Sequence, residues 1–325
     1  MIEVLAPAGS AESLKAALNT GADAVYLGVH NFSARKNARN FTEEELRAAA
    51  ETCRLLGVKL YLTLNTLVFD RELPKLRKTV QFAAQAGIDA FIIQDLGALG
   101  VVKKIAPEVR CHASTQMTIT SVFGAEAARK LGFSRVVLAR ELTLTEIKEI
   151  TRNVGIETEV FIHGALCVSV SGQCHMSAFF AGKPSSSGSG SIRSANRGLC
   201  AQPCRLNFKA DLKKAETQIK RTGACEYVLS LKDLSIIKSI SELEKAGVAS
   251  VKIEGRMKSP DYVAAAVGAC VKAREGKKYD EKALEAIFSR SGFTDGFFTG
   301  EIYSMRGHRA EKYGNRAESG RRKRK

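Results

Sequence analysis

The chain is predicted to be an α/β protein, a (β/α)8 TIM-like barrel with a cysteine-rich insertion and a β-hairpin between its seventh and eighth strands. Seven times before residue 163 a short apolar run is followed by a loop and a segment of helical spacing. An eighth such run stands at residues 250–254, with a helix pattern after it from 260 to about 275. Strict alternation of this kind makes parallel strands, and eight units are the number that closes a barrel. No Gly-x-Gly-x-x-Gly turn follows the first strand, which weighs against an open dinucleotide-binding sheet.

The strand-like runs are residues 4–6, 24–27, 59–64, 90–93, 109–113, 135–138 and 157–162. Helical spacing is clearest at 10–19, 42–55 and 142–152. Ser10, Thr42 and Thr143 stand as N-caps, and Glu45 and Glu146 follow the last two caps by three residues, as a capping box requires. Gly21, Gly57, Gly87 and Gly132 stand where helices end before the next strand. Residues 1–162 therefore hold the first seven units, 163–248 the insertion, 249–300 the closing strand and helix, and 301–325 a basic tail expected to be disordered. Within the insertion, residues 205–209 and 227–230 are expected to pair as the hairpin, and 232–234 to lead into a helix ending near Lys245.

Composition narrows the class. The 325 residues are 45% hydrophobic and 26% charged, an ordinary globular balance. No apolar run approaches the ~18 to 20 residues of a membrane span, and Met1 opens directly into a strand pattern with no basic leader, so the expectation is a cytoplasmic protein without a membrane partner. Net charge is +16; from Arg306 onward nine Lys/Arg face two Glu, so +7 lies in the tail and the rest on the folded body. Such a surface attracts polyanions by counterion release, which favours RNA as a partner.

Eight cysteines in a chain this long are not a small secreted disulfide scaffold. Cys53, Cys111 and Cys270 read as small buried apolar residues. Cys167, Cys174, Cys200 and Cys204 instead crowd one stretch, spaced C-x6-C and C-x3-C and flanked by Gly, Ser and Pro. Paired C-x2-C knuckles are missing, so structural zinc is the second choice. Iron–sulfur clusters accept irregular spacing from several loops, and a redox dithiol or unrelated buried thiols are the blander readings.

His163 ends the seventh strand and His112 the fifth, positions at the barrel mouth where an acid, a base or a substrate ligand belongs. A histidine satisfied by backbone is the alternative for each. Asn65, Gln94, Asp95, Arg140, Glu141, Glu254 and Arg256 also stand at strand ends, where they either grip a small anion or form a structural ion-pair rim. Hydrolase signatures are sparse. Ser169, Ser171 and Ser177 lie near His163 and His175 but form no Gly-x-Ser-x-Gly elbow, and no His-Glu-x-x-His helix occurs. A Cys–His nucleophile pair of His163 with Cys167 or Cys174 remains open.

The run from Glu159 to Ser177, EVFIHGALCVSVSGQCHMS, closely resembles the signature of peptidase family U32, the collagenase-like proteases. The resemblance continues in LAPAG at 5–9, ADAVYLG at 22–28, FSAR at 32–35, QDLG at 94–97, HASTQM at 112–117, RGLCAQPCR at 197–205 and IEGRMKSP at 253–260. It implies either proteolysis or, from the family's other branches, hydroxylation chemistry with a 4Fe-4S cluster. The branch it most resembles forms 5-hydroxyuridine at the tRNA wobble position, with prephenate implied as the hydroxyl source. On that resemblance Cys167 and Cys174 match two cluster ligands and Cys200 or Cys204 a third. Many relatives carry a cysteine directly after Lys-Asp-Leu where this chain has Ser235, so the fourth ligand lies between Cys204 and Cys225.

The resulting expectation is an enzyme that hydroxylates tRNA or another RNA. Cys167, Cys174, Cys200 and Cys204 hold a 4Fe-4S cluster, with zinc or no metal as the alternatives. His163, Glu254, Arg256 and His112 are the catalytic candidates that orient a prephenate-like small acid or the base. Arg35, Arg39, Arg193, Arg197 and Lys258 contact phosphate. The rival expectations are a peptidase and a non-catalytic RNA-binding partner of a second U32-family subunit.

Overall fold

The computed structural model describes residues 1–36, 38–180, 194–208, 227–289 and 291–307. Its strands are β1 (Glu3–Pro7), β2 (Ala24–Leu27), β3 (Lys59–Leu64), β4 (Ala90–Ile93), β5 (Arg110–Ala113), β6 (Arg135–Val137), β7 (Glu157–Gly164), β8 (Asp233–Ser235), β9 (Ser250–Ile253) and β10 (Phe293–Thr294). From β1 to β7 each strand pairs in parallel with the next. β9 pairs in parallel with both β7 and β1, which closes an eight-stranded barrel. The expected fold class is therefore the observed one.

Helices α1 (Ala11–Asn19), α2 (Glu43–Leu55), α3 (Leu73–Gln85), α4 (Leu96–Ile105), α5 (Val122–Lys130) and α6 (Leu144–Asn153) follow the first six strands. The insertion holds α7 (Met176–Phe180), and α8 (Ile240–Lys245) precedes β9. α9 (Pro260–Arg274), α10 (Glu281–Ile287) and α11 (Gly296–Thr299) follow it. The start signals act as read. Ser10 caps α1, and Thr42 with Glu45 and Thr143 with Glu146 form complete capping boxes on α2 and α6. No helix of the described residues is long and apolar enough to cross a membrane.

Strand side chains alternate between two apolar layers. Val4, Ala6, Val25, Leu27, Leu60 and Leu62 join the large layer under the helices, while Leu5, Ala24, Tyr26, Tyr61, Ala90 and Ile92 pack together as a separate small cluster. Charge is also buried in the sheet. Arg135 reaches Glu3 at 2.6 Å and Glu159 at 3.2 Å, Lys252 reaches Glu159 at 2.8 Å, and the Tyr61 hydroxyl donates to Glu3 at 2.9 Å. Each ion of this network faces an opposite charge, which offsets part of the cost of burying it.

The insertion differs from expectation. Residues 209–226 lie outside the described residues, but the two ends of the expected hairpin are not strands: Pro203–Arg205 is a 3-10 turn and residues 227–229 form a turn. The run expected to lead into a helix is strand β8, which pairs antiparallel with the end of β7 and carries β10 on its other edge. The reason is the length of β7. Its eight residues overshoot three-residue β6, so His163 and Gly164 present backbone that β8 can satisfy. Cys53, Cys111 and Cys270 are buried as read, and burial pushes their thiols up to about 11, 11 and 12.

Candidate functional site

A cavity of about 360 Å³ opens at the C-terminal mouth of the barrel, the face where barrels carry their chemistry. Strand ends supply Asn65, Arg140, Lys252, Glu254 and Arg256; the loop after β2 supplies Arg35; the loop after β5 supplies Ser114, Thr115 and Gln116. The insertion lies over the opening and brings Cys167, Cys174, Cys200 and Cys204 to the same cavity.

The insertion is laced to the mouth through several βα loops. Glu141, after β6, accepts from the Ser171 backbone N–H at 2.7 Å and from its hydroxyl at 2.9 Å. Gln173 donates to the Gln116 carbonyl after β5. Arg197 donates to both carboxylate oxygens of Glu72, at 2.6 and 2.7 Å, and to the Leu67 carbonyl, on the loop after β3. The Lys36 N–H donates to the Gly198 carbonyl after β2. Gly198 has φ +78°, and a Cβ there would stand 2.3 Å from the Ser33 carbonyl oxygen, so no larger residue lets the loops approach this closely. Arg205 is buried and donates to Ser230, Leu231 and Leu166, tying the Cys204 turn to the chain after β7.

All four thiols are free; Cys174 is buried and the others half-buried. Burial is the main influence raising the Cys204 thiol. Arg205 opposes it, and the charges of Cys167, Cys200 and Cys174 add to it, so each lies within electrostatic reach of Cys204. Four soft ligands from separate loops around one cavity fit the donor set of an iron–sulfur cluster. Among the described residues no group of three or more His, Cys, Asp or Glu is arranged to hold a single metal ion. Cys225, the other candidate ligand, lies outside the described residues.

The charged part of the lining is mostly cationic. Arg35, Arg140, Arg205, Lys252, Arg256 and Lys258 face the cavity against Glu254 alone. Burial pushes the Glu254 carboxyl up, but Arg35, Arg256 and Arg140 more than offset it, and it sits below the usual carboxylate range. Arg35 grips Glu254 at 2.9 and 3.2 Å, and Lys252 is matched by Glu159. Arg256 is not matched in this way. It is 4% exposed, donates among the described residues only to the hydroxyls of Ser33 at 2.5 Å and Thr63 at 3.1 Å, and burial lowers its pKa to about 10. Its seat is shaped for it, since a Cβ on Gly28 would stand 2.4 Å from its Nη1. The Arg140 Nε is buried with no hydrogen-bond partner.

Of the expected site residues, the four cysteines, Glu254, Arg256, Arg35 and Lys258 meet at this cavity. His112 and His163 do not line it. His112 packs edge-on to Tyr61 at 4.8 Å and is held neutral chiefly by burial, then by Arg135 and Lys252. His163 stacks on Tyr262 at 5.8 Å and meets Phe293 at 5.1 Å. Neither of its ring nitrogens has a hydrogen-bond partner among the described residues, and burial lowers its pKa to about 4. Arg39 is exposed and paired with Glu12 and Glu45. Arg193 lies outside the described residues. Glu72 and Arg205, which position the insertion, were not singled out by sequence, although the Pro-Cys-Arg turn at 203–205 was part of a noted motif; Ser171 was weighed there only beside the histidines as a hydrolase residue.

A barrel with a thiol-rimmed, cationic cavity at its mouth defines the class of protein. The family model of peptidase family U32 matches residues 9–306, and the chain belongs to that family. It is 37% identical to a collagenase of Porphyromonas gingivalis, over 94% of this chain and 76% of that one. It is 36% identical to tRNA hydroxylation protein P1 of Bacillus subtilis, over 82% of this chain and 61% of that one. It is 38% identical to the 23S rRNA 5-hydroxycytidine C2501 synthase of Escherichia coli, over 81% of this chain and 37% of that one. The chain thus spans less than two thirds of each of the two RNA-hydroxylation relatives.

Proposed function

We propose that this protein is an RNA-modifying enzyme that hydroxylates a pyrimidine base of tRNA or another RNA, with a 4Fe-4S cluster held by Cys167, Cys174, Cys200 and Cys204. The observation that carries the reading is the convergence of four free thiols and an excess of guanidinium groups on one cavity at the barrel mouth. Relatives named for tRNA and rRNA hydroxylation support the substrate class. A cluster, when bound, supplies one-electron redox chemistry or a Lewis-acidic iron.

The chain's own residues bind and orient. Arg256, buried and without a carboxylate partner among the described residues, takes the carboxylate of a small acid donor such as prephenate, and Arg140 offers a second guanidinium on the same cavity. Guanidinium is suited to this because its planar fork matches a carboxylate. Glu254 is ionised and its pKa is lowered, which makes it a weak base; its chemistry is to accept hydrogen bonds from donor hydroxyls or from Arg35. Lys258, half-buried on the cavity lining with its ammonium over the Phe288 ring, contacts phosphate, and the overall +16 charge draws the polyanion in. A single-stranded or flipped nucleotide is required, because an atom inside a duplex cannot reach a cavity of this size.

The test compares tRNA and rRNA nucleosides, by mass spectrometry, from cells with and without this protein, alongside iron and sulfide analysis of anaerobically purified chain. A hydroxylated pyrimidine that disappears with the gene, and returns with wild type but not with Cys174→Ser, is the expected result. Unchanged nucleosides, or modification by iron-free protein, overturn it. Cleavage of denatured collagen that survives Cys167→Ala, Cys174→Ala and Cys200→Ala would instead support the peptidase reading suggested by the collagenase relative.

A further inference from the structure

We propose that the Arg197–Glu72 ion pair is a latch that holds the Cys200 loop in place over the mouth, which makes Arg197 and Glu72 positioning residues rather than RNA contacts. The inference rests on the reading of the thiols as cluster ligands and assigns what aligns one of them. Arg197 stands three residues before Cys200, at the end of the 3-10 turn Ala195–Arg197. Its guanidinium is engaged on every side that the contacts reveal: two hydrogen bonds to Glu72, one to the Leu67 carbonyl, and the Phe69 ring 4.5 Å from its carbon. Those hydrogen bonds from Arg197 are the leading reason that the Glu72 carboxyl is held down at about 2. Three of its five N–H donors are thereby committed, two of them to a carboxylate that offsets its charge.

The partner loop is itself anchored. The Glu72 carboxylate also accepts from the Phe69 backbone N–H at 2.9 Å, which turns the loop after β3 back on itself before α3 begins. On its other flank the Cys200 segment is pinned by the Lys36 N–H donating to the Gly198 carbonyl, and by the close approach to Ser33 that only glycine permits. Both clamps lie just before Cys200, and just after it the Ala201 N–H donates to the Ser177 hydroxyl at 3.0 Å, so the Cys200 sulfur is presented from a fixed backbone. Cys167 follows β7 by three residues, and the segment of Cys174 has anchors of its own in the Glu141–Ser171 and Gln173–Gln116 hydrogen bonds. Bidentate Arg–carboxylate pairs are the ion pairs in which geometry, rather than net charge, does the fixing.

Selective alkylation of the full chain, stripped of metal with a chelator under anaerobic conditions, tests the latch independently of the cluster. Iodoacetamide labelling at each cysteine is followed by peptide mass spectrometry. Glu72→Gln and Arg197→Lys are each expected to speed labelling of Cys200 by roughly five- to thirtyfold, the opening allowed by loss of a part-buried ion pair, and to leave Cys174 within about twofold. The exchanged pair Glu72→Arg with Arg197→Glu is expected to return Cys200 most of the way to the wild-type rate. An unchanged Cys200 rate, or equal acceleration at buried Cys270, overturns the proposal. Iron per chain and the electron paramagnetic resonance spectrum of the reconstituted protein report the cluster separately. Wild type that takes up no iron while Cys200 still responds to the substitutions refutes the cluster reading and leaves the latch standing.

Discussion

Arg256→Met separates a binding residue from a structural one. The guanidinium is 4% exposed and no carboxylate among the described residues lies within ion-pair distance of it. Burial takes its pKa from 12.5 to about 10, so the folded state disfavours the charge by about 3 kcal/mol at 1.36 kcal/mol per unit. Because a base is depressed, that cost is present at neutral pH and is relieved only as pH rises from about 10 towards 12.5. Methionine fills most of the volume and removes the charge, but it deletes two hydrogen bonds, to Ser33 and Thr63, of about 1 kcal/mol each. The expected outcome is unchanged stability or a gain of about 1 kcal/mol by urea unfolding at pH 7. Affinity for prephenate, by titration calorimetry, is expected to fall roughly 10- to 100-fold, from loss of a charged hydrogen bond of about 1.5–3 kcal/mol. A loss of stability above about 2 kcal/mol with binding intact would show that Arg256 is a structural strut and refute its role as the carboxylate site.

Three other outcomes follow from the same geometry. Glu159→Gln leaves Lys252 buried with no carboxylate and strips one from Arg135, so unfolding free energy is expected to drop by about 3–5 kcal/mol in urea titration. His163→Phe suits a ring packed between Tyr262 and Phe293 with both nitrogens unpartnered among the described residues, and RNA modification is expected to stay within about threefold of wild type, the scatter expected of a surface-neutral change. Wild type, whose His163 titrates near 4 folded and 6.5 unfolded, should lose about 3 kcal/mol of stability as pH falls across that window, a loss that the Phe variant does not share. Lys258→Ala, on the cavity lining, is expected to weaken RNA binding evenly across sequences and to reduce the slope of log affinity against log salt by about 1.

The barrel was legible in the sequence because its determinants are local. A period of two or of 3.6, an N-cap with its box at Thr42 and Thr143, and the short parallel strands between them can each be read within a dozen residues. The cysteine cluster was legible for the same reason: four thiols within one polar, glycine-rich stretch stand out from a core of aliphatic side chains. Reading went astray where the outcome depends on distant partners. The segment at 232–234 leads toward a helix that ends at Lys245, as expected, but residues 233–235 are themselves a strand, because β7 overshoots the barrel and leaves backbone to be paired.

Charge shows the same division. Arg35, Arg39, Arg197 and Arg256 are alike in a sequence, and composition assigns them all to anions. Only the folded chain separates them: Arg197 is closed off by Glu72, Arg39 lies among surface carboxylates, Arg35 is matched to Glu254, and Arg256 is left buried beside hydroxyls. His163 and His112 sit at strand ends, as rim residues do, but neither lines the cavity: His112 is spent on packing against Tyr61, and His163, beyond a register shift in β7, on Tyr262 and Phe293. Sequence by itself determined the eight βα units, the thiol-rich segment and the basic character of the chain, because each is written in neighbouring residues. Which side chains share the cavity, which are spent on holding the insertion, and which of the described cations lack a carboxylate were decided by tertiary structure, because burial and ion pairing are properties of residues brought together from far apart.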